Sequence, residues 1–279
     1  MPLFKITDFT DAYANAPNIP NGDAWPEAWV EPARSFRASW PNVEIDISYG
    51  DHERESYDLF LPKGESKGLF VFIHGGFWLR LDKSYWSHLA QGALARGFNV
   101  AIPSYPLCPD VRLQDISKSA ARAVSHASSK VSGPIILSGH SAGGHLVTRL
   151  VSVGSALDEA TLQRIAHVVS ISGVHDLRPL LKSDLNKGIG LDATEAKDES
   201  PALLAPLIDM PVTCWVGANE RSEFARQNAL LANIWRGLGM ATQAVEEPDK
   251  HHFDVIDGLN NAQSPLMKTI FETNSFETK

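Results

Sequence analysis

The pentapeptide Gly139-His140-Ser141-Ala142-Gly143 is the strongest chemical signal in the chain. A G-x-S-x-G run with a strand before it and a helix after it puts the serine on a tight turn, with Oγ presented at the strand end. Such a serine suits nucleophilic acyl transfer. The glycines are needed because neighbouring backbone must come close. The reaction also needs backbone N–H groups aimed at a developing oxyanion. Ala142 is positioned to give one, and Gly75, Gly76 or Phe77 of His74-Gly75-Gly76-Phe77-Trp78 the other. A plain Gly-Gly turn is the ordinary alternative for that loop. His74 reads as a residue that fixes it rather than as the base.

Acyl transfer on such a turn takes its acid next in chain order and its histidine last. The exit of a late strand, Gly217-Ala218-Asn219-Glu220-Arg221-Ser222-Glu223, offers Glu220 and Glu223. Glu223 falls in the first turn of a helix, where the helix dipole already accounts for a carboxylate. Glu220 sits in the loop and is free to reach a histidine, so it is the favoured acid. The base is expected within Pro248–Asp254, which holds His251 and His252. Adjacent histidines in an extended loop cannot point the same way, so one of them is the base; spacing barely separates them. His140, His145 and His175 read as loop or helix-surface residues. The two late histidines lack an H-x-x-x-H or carboxylate pattern for zinc, and neither metal nor organic cofactor is expected.

Strand and helix signals alternate around these residues. Strands are expected at Val43–Ser48, Ser56–Leu61, Leu69–Ile73, Phe98–Ile102, Pro134–Ser138, His167–Ile171, Pro211–Val216 and Thr242–Glu246. Helices are expected at Lys83–Gly97, Arg112–Lys130, Gly143–Val153 and Ser222–Gly237. The alternation predicts one α/β domain: a mostly parallel sheet with helices on both faces. Residues 1–42 read as an arm packed on the body, because Trp25, Trp29 and Trp40 do not suit a disordered tail. The arm is expected to wall a pocket or simply to wrap. Gly173–Met210 lacks strand character and reads as a small helical, cap-like insertion that helps the arm to roof the pocket.

Composition narrows the function classes. The chain has 279 residues and a formal net charge of −8, with no Lys/Arg run, which argues against nucleic acid and anionic membranes as partners. No apolar stretch approaches the length of a membrane span. Cys108 and Cys214 stand apart in apolar stretches and read as buried free thiols. The expected partner is a small-molecule substrate, the expected location cytoplasmic, and a homodimer the assembly considered.

The motifs together resemble the α/β-hydrolase superfamily, and within it the kynurenine formamidase (arylformamidase) branch. The resemblance runs over nearly the whole chain. It takes in the aromatic arm, His74–Trp78, Ser104-Tyr105-Pro106-Leu107-Cys108-Pro109, Gly139–Leu146, Ser172–Leu177 and His252-Phe253-Asp254. It implies Ser141 as nucleophile and Glu220 in the place of the acid. It selects His252 over His251, since the branch's histidine directly precedes Phe-Asp. Phe77 stands where the branch commonly has Tyr, and Glu220 where it has Asp. Trp78, Tyr105 and His140 are the substrate-binding candidates. The resemblance implies hydrolysis of an N-formyl amide; a general carboxylesterase and a non-catalytic binding protein of the same fold are the alternatives.

Overall fold

The chain is described here from a computed structural model covering residues 5–272. Among the described residues, eight strands form one sheet in the order β1-β2-β4-β3-β5-β6-β7-β8. They are β1 Val43–Ser48, β2 Ser56–Phe60, β3 Leu69–Ile73, β4 Asn99–Pro103, β5 Ile135–His140, β6 Ile165–Ile171, β7 Val212–Gly217 and β8 Thr242–Glu247. Every neighbour pair from β4 to β8 is parallel, whereas β2 is antiparallel to both β1 and β4. The expected α/β-hydrolase architecture is therefore the observed one.

β3 shows why the centre of the sheet is apolar without interruption. Leu69, Val71 and Ile73 enter the core on one face, and Phe70 and Phe72 enter the core on the other. Successive strand residues point to opposite faces, so a strand covered twice must be apolar at every position. Full burial of each side chain contributes roughly 1.5–3 kcal/mol relative to exposure. Helices Leu113–Lys130, Ala142–Arg149 and Ser222–Gly237 contribute to the first core. The second receives Trp29 of helix Trp25–Ser39, Leu89 and Ala93 of Lys83–Ala95, and Met267 of helix Pro265–Glu272.

Two stretches differ from the sequence reading. The helix expected over Lys83–Gly97 is divided into 3-10 turns at Lys83–Tyr85 and Ser87–Ala90 and a short α-helix at Gln91–Ala95. Lys83 Nζ is drawn to Asp46 and Asp58, at 2.6 Å each. Arg37 Nη1 donates to the Ser84 carbonyl at 3.1 Å and to Ser87 Oγ at 2.8 Å, so side-chain bonds replace part of the helical ladder. The arm, for which no helix is expected from sequence, carries the 15-residue helix Trp25–Ser39. Pro32 removes one of its internal hydrogen bonds. Packing compensates: Trp29 meets Trp86 at 4.6 Å, Phe36 meets Phe60 at 5.7 Å, and just past the helix Trp40 Nε1 donates to Leu61 O at 3.0 Å.

Gly173–Met210 is helical in short pieces, at Arg178–Lys182, Asn186–Ile189, Ala193–Asp198 and Pro201–Leu203. Its polar anchors reach the start of helix Leu113–Lys130 and the end of the buried helix Ala142–Arg149: Glu199 accepts Ser117 Oγ at 2.5 Å and pairs with Arg149 at 3.2 Å, and Glu195 pairs with Arg112 at 2.5 Å.

Candidate active site

β5 runs through His140 and the next helix begins at Ala142, so Ser141 alone makes the turn, with φ 55° and ψ −114°. A non-glycine residue in such a region costs of order 1–3 kcal/mol and persists only where its surroundings hold it. Ser141 N–H donates to Ile171 O at 2.8 Å, and Ser141 O accepts His145 N–H at 3.1 Å. Both flanking glycines are required by close approach. A Cβ on Gly139 would stand 2.2 Å from Gly143 O, and one on Gly143 would stand 1.9 Å from Ile73 O.

The loop after β3 lies directly over this turn. Gly75 is so close that a Cβ there would meet His140 O at 3.0 Å and Ser141 Cβ at 3.1 Å. Gly76, Phe77 and Trp78 all have positive φ. The N–H groups of Gly76, Phe77 and Ala142 donate to no acceptor among the described residues. His74 fixes the loop from below. Its Nδ1–H donates to Gly75 O at 2.7 Å, and its ring stacks on Tyr105 at 4.4 Å. Burial lowers its pKa to about 4, which keeps the ring neutral.

Glu220, at the exit of β7, reaches His252 beyond β8. Its Oε2 accepts from His252 Nδ1 at 2.6 Å. Its Oε1 accepts Gly217 N–H at 2.8 Å and Ser172 Oγ–H at 2.5 Å. Ser172, just past β6, is legible in sequence only through the Ser172–Leu177 motif. His251 turns the other way: its Nδ1 accepts the N–H groups of Phe253 and Asp254 at 3.2 and 3.3 Å, and its ring packs edge-on against Trp25 at 5.1 Å. Glu223 is held by Tyr13 Oη–H and by both nitrogens of the Arg226 fork, at 2.7 Å each, and so ties the arm to the helix after β7.

Ser141, His140 and His252 line one cavity of about 60 Å³. Gly75, Gly76, Phe77, Arg80 and Leu81 bound it from the loop after β3, and Ala16, Gly22, Asp23, Pro26 and Trp29 from the arm. The arm thus walls the pocket. The insertion Gly173–Met210 contributes no lining residue, contrary to its expected place as a roof; its anchors tie it to Arg112, Ser117 and Arg149 instead. No hydrogen bond joins Ser141 Oγ to the His252 ring; such contacts are often long before a substrate is bound. Trp78 and Tyr105 do not line the cavity either. Each is 1% exposed, Trp78 edge-on to His145 at 5.1 Å, and Tyr105 donating its hydroxyl to His74 O at 2.9 Å. Their bulk supports the loop from beneath.

His140, His145 and His175, read as loop or helix-surface residues, are buried. His140 Nε2–H donates to the His252 carbonyl at 2.8 Å and so steadies the backbone of that residue. Burial holds its pKa well below the usual value, and lowers those of His145 and His175 to about 3. Arg178 forms a two-bond pair with Asp176 and stands outside the cavity. Cys108 and Cys214 are buried and free. Among the described residues, no group of three or more His, Cys, Asp or Glu is placed to hold a metal ion, and no helix is long and apolar enough to cross a membrane.

A parallel sheet bearing a strained serine elbow, with an imidazole and a carboxylate delivered from the next strand ends, defines a hydrolase. Residues 70–257 match the model of the Alpha/beta hydrolase family, and the chain belongs to that family. Among curated relatives, it is 26% identical over 239 residues to a kynurenine formamidase of Danio rerio, covering 82% of this chain and 80% of that one. It is 28% identical over 234 residues to the kynurenine formamidase of Drosophila melanogaster, covering 77% and 76%. A solved structure from Silicibacter sp., provisionally named a thioesterase, is 44% identical with a TM-score of 0.90, covering 94% of this chain and 98% of that one. The chain is accordingly an enzyme of amide or ester hydrolysis.

Proposed function

We propose that the protein is a serine hydrolase that cleaves an N-formyl arylamine or enamine, of the type of N-formylkynurenine, to formate and the free amine. The observation that carries the reading is the cavity itself. The serine, the imidazole and the loop amides meet in about 60 Å³, a space for a few water-sized groups, which suits a formyl group far better than a long acyl chain. The kynurenine formamidase relatives support the same substrate class.

Ser141 Oγ attacks the formyl carbon while His252 Nε2 takes its proton. Glu220 fixes the ring through Nδ1–H and stabilises the imidazolium. The N–H groups of Ala142 and of the Gly75–Phe77 loop receive the oxyanion, each worth roughly 3–4 kcal/mol of barrier. Collapse expels the amine, which takes the proton from His252; water then attacks the formyl enzyme by the same route in reverse. Delocalisation of the aryl or enamine nitrogen lone pair weakens the amide and eases that departure.

Ester or thioester hydrolysis is the second reading, favoured by the name of the Silicibacter neighbour. Formate release decides between them. Purified protein should release formate from N-formylkynurenine or a close N-formyl analogue with kcat/KM above that on p-nitrophenyl acetate. Preference for the ester or a thioester, with no formate from any N-formyl substrate, sinks the formamidase reading.

A further inference from the structure

The cavity beside Ser141 carries two charges for which the acyl transfer has no use. Asp23 comes from the arm and Arg80 from the loop after β3, and both line the cavity that Ser141 and His252 line. Neither side chain makes an ion pair or hydrogen bond with the other, or with any described residue. One unmatched cation and one unmatched anion therefore face the same small opening, held apart on two separate segments.

From this we infer that Asp23 and Arg80 are specificity residues for a substrate whose tail carries both an ammonium and a carboxylate, as an α-amino acid does. The inference rests on the formamidase reading and names the tail of its substrate. With the formyl group held at Ser141, the rest of the molecule extends toward the rim, where Asp23 and Arg80 are exposed. There the guanidinium fork of Arg80 matches a carboxylate with two parallel hydrogen bonds. Asp23, an acceptor only, matches an ammonium. A doubly charged tail answers both groups at once, whereas a neutral tail leaves both solvated and gains nothing from them. Both side chains are exposed, so their contribution is to substrate binding, and salt weakens it.

The test compares kcat/KM on four formanilides in the full-length protein: plain formanilide, one with an ortho-acyl side chain ending in a free α-amino acid, its methyl ester, and its N-acetyl derivative. Wild type should prefer the free amino acid over plain formanilide by about tenfold or more, the worth of one charge-assisted hydrogen bond. Arg80→Ala should raise KM about tenfold for the two substrates with a free carboxylate and leave the other two unchanged. Asp23→Asn should do the same for the two with a free ammonium. Equal turnover of all four by wild type, or variants that shift all four alike, overturns the inference while formate from formanilide leaves the formamidase reading standing. No formate from any of the four, with p-nitrophenyl acetate still cleaved, overturns both.

Discussion

Glu220 holds three donors at once, from Gly217, Ser172 and His252. That arrangement fixes the carboxylate's aim at His252, and it separates two histidines that sequence spacing leaves side by side. His252→Ala should lower kcat by about 10⁴-fold or more, and Ser141→Ala by a similar factor, since the two act as one unit. His251→Ala should cost far less, because its ring is spent on the Phe253 and Asp254 N–H groups and on Trp25; the opposite ranking in steady-state assays would move the base to His251. Glu220→Gln should keep the fold, checked by thermal unfolding, yet cut kcat by about 10³–10⁴-fold through a misaimed imidazole. Near-wild-type turnover in that variant would place the acid elsewhere. Glu223→Gln should act on stability instead, since it loosens Tyr13 and Arg226 together and leaves the His252 contact untouched.

At the scale of elements, the turn after β5 tolerates no side chain beyond hydrogen at its glycines. Gly143→Ala forces a Cβ to within 1.9 Å of Ile73 O, so β3 and the elbow helix must separate. Soluble expression and the unfolding midpoint should both fall sharply, and a variant as stable as wild type would contradict the described packing. These constraints are readable in sequence because glycine and the apolar runs are local signals; all eight strands were legible within a few residues for the same reason. The helix Trp25–Ser39 was not, although Trp25, Trp29, Ala33, Phe36 and Trp40 repeat at helical spacing. Two prolines, Pro26 and Pro32, masked that stripe, and what overrides them is packing against Trp86 and Phe60. The place of the insertion was illegible because it depends on Glu195 and Glu199 finding arginine and serine partners far away in sequence. Trp78 and Tyr105 were misplaced because a motif gives proximity to the elbow but not the side of the loop on which a ring lies.

For the whole molecule, the buried histidines set a pH limit. His74, His145 and His175 have folded pKa values of about 4, 3 and 3, all below the ordinary value near 6.5. Each is lowered, so between those values the unfolded chain binds more protons than the folded one. The stability they allow is fully present above pH about 6.5 and is lost as the pH falls toward 4 and 3, at about 1.4 kcal/mol per pH unit for each histidine engaged. The urea midpoint should therefore drop steeply from pH 7 to 4.5, and His145→Gln should flatten the slope; a midpoint independent of pH would refute it. The seam between arm and body has an optical consequence. Trp25 and Trp29 of the arm lie against His251, Phe253 and Trp86 of the body, and that seam is one wall of the cavity. Trp29 is buried in that seam and Trp25 half-buried, so a displacement of the arm wets both indoles. A change in tryptophan emission on adding a non-hydrolysed substrate analogue would therefore report a displacement of the arm, with no label and no turnover.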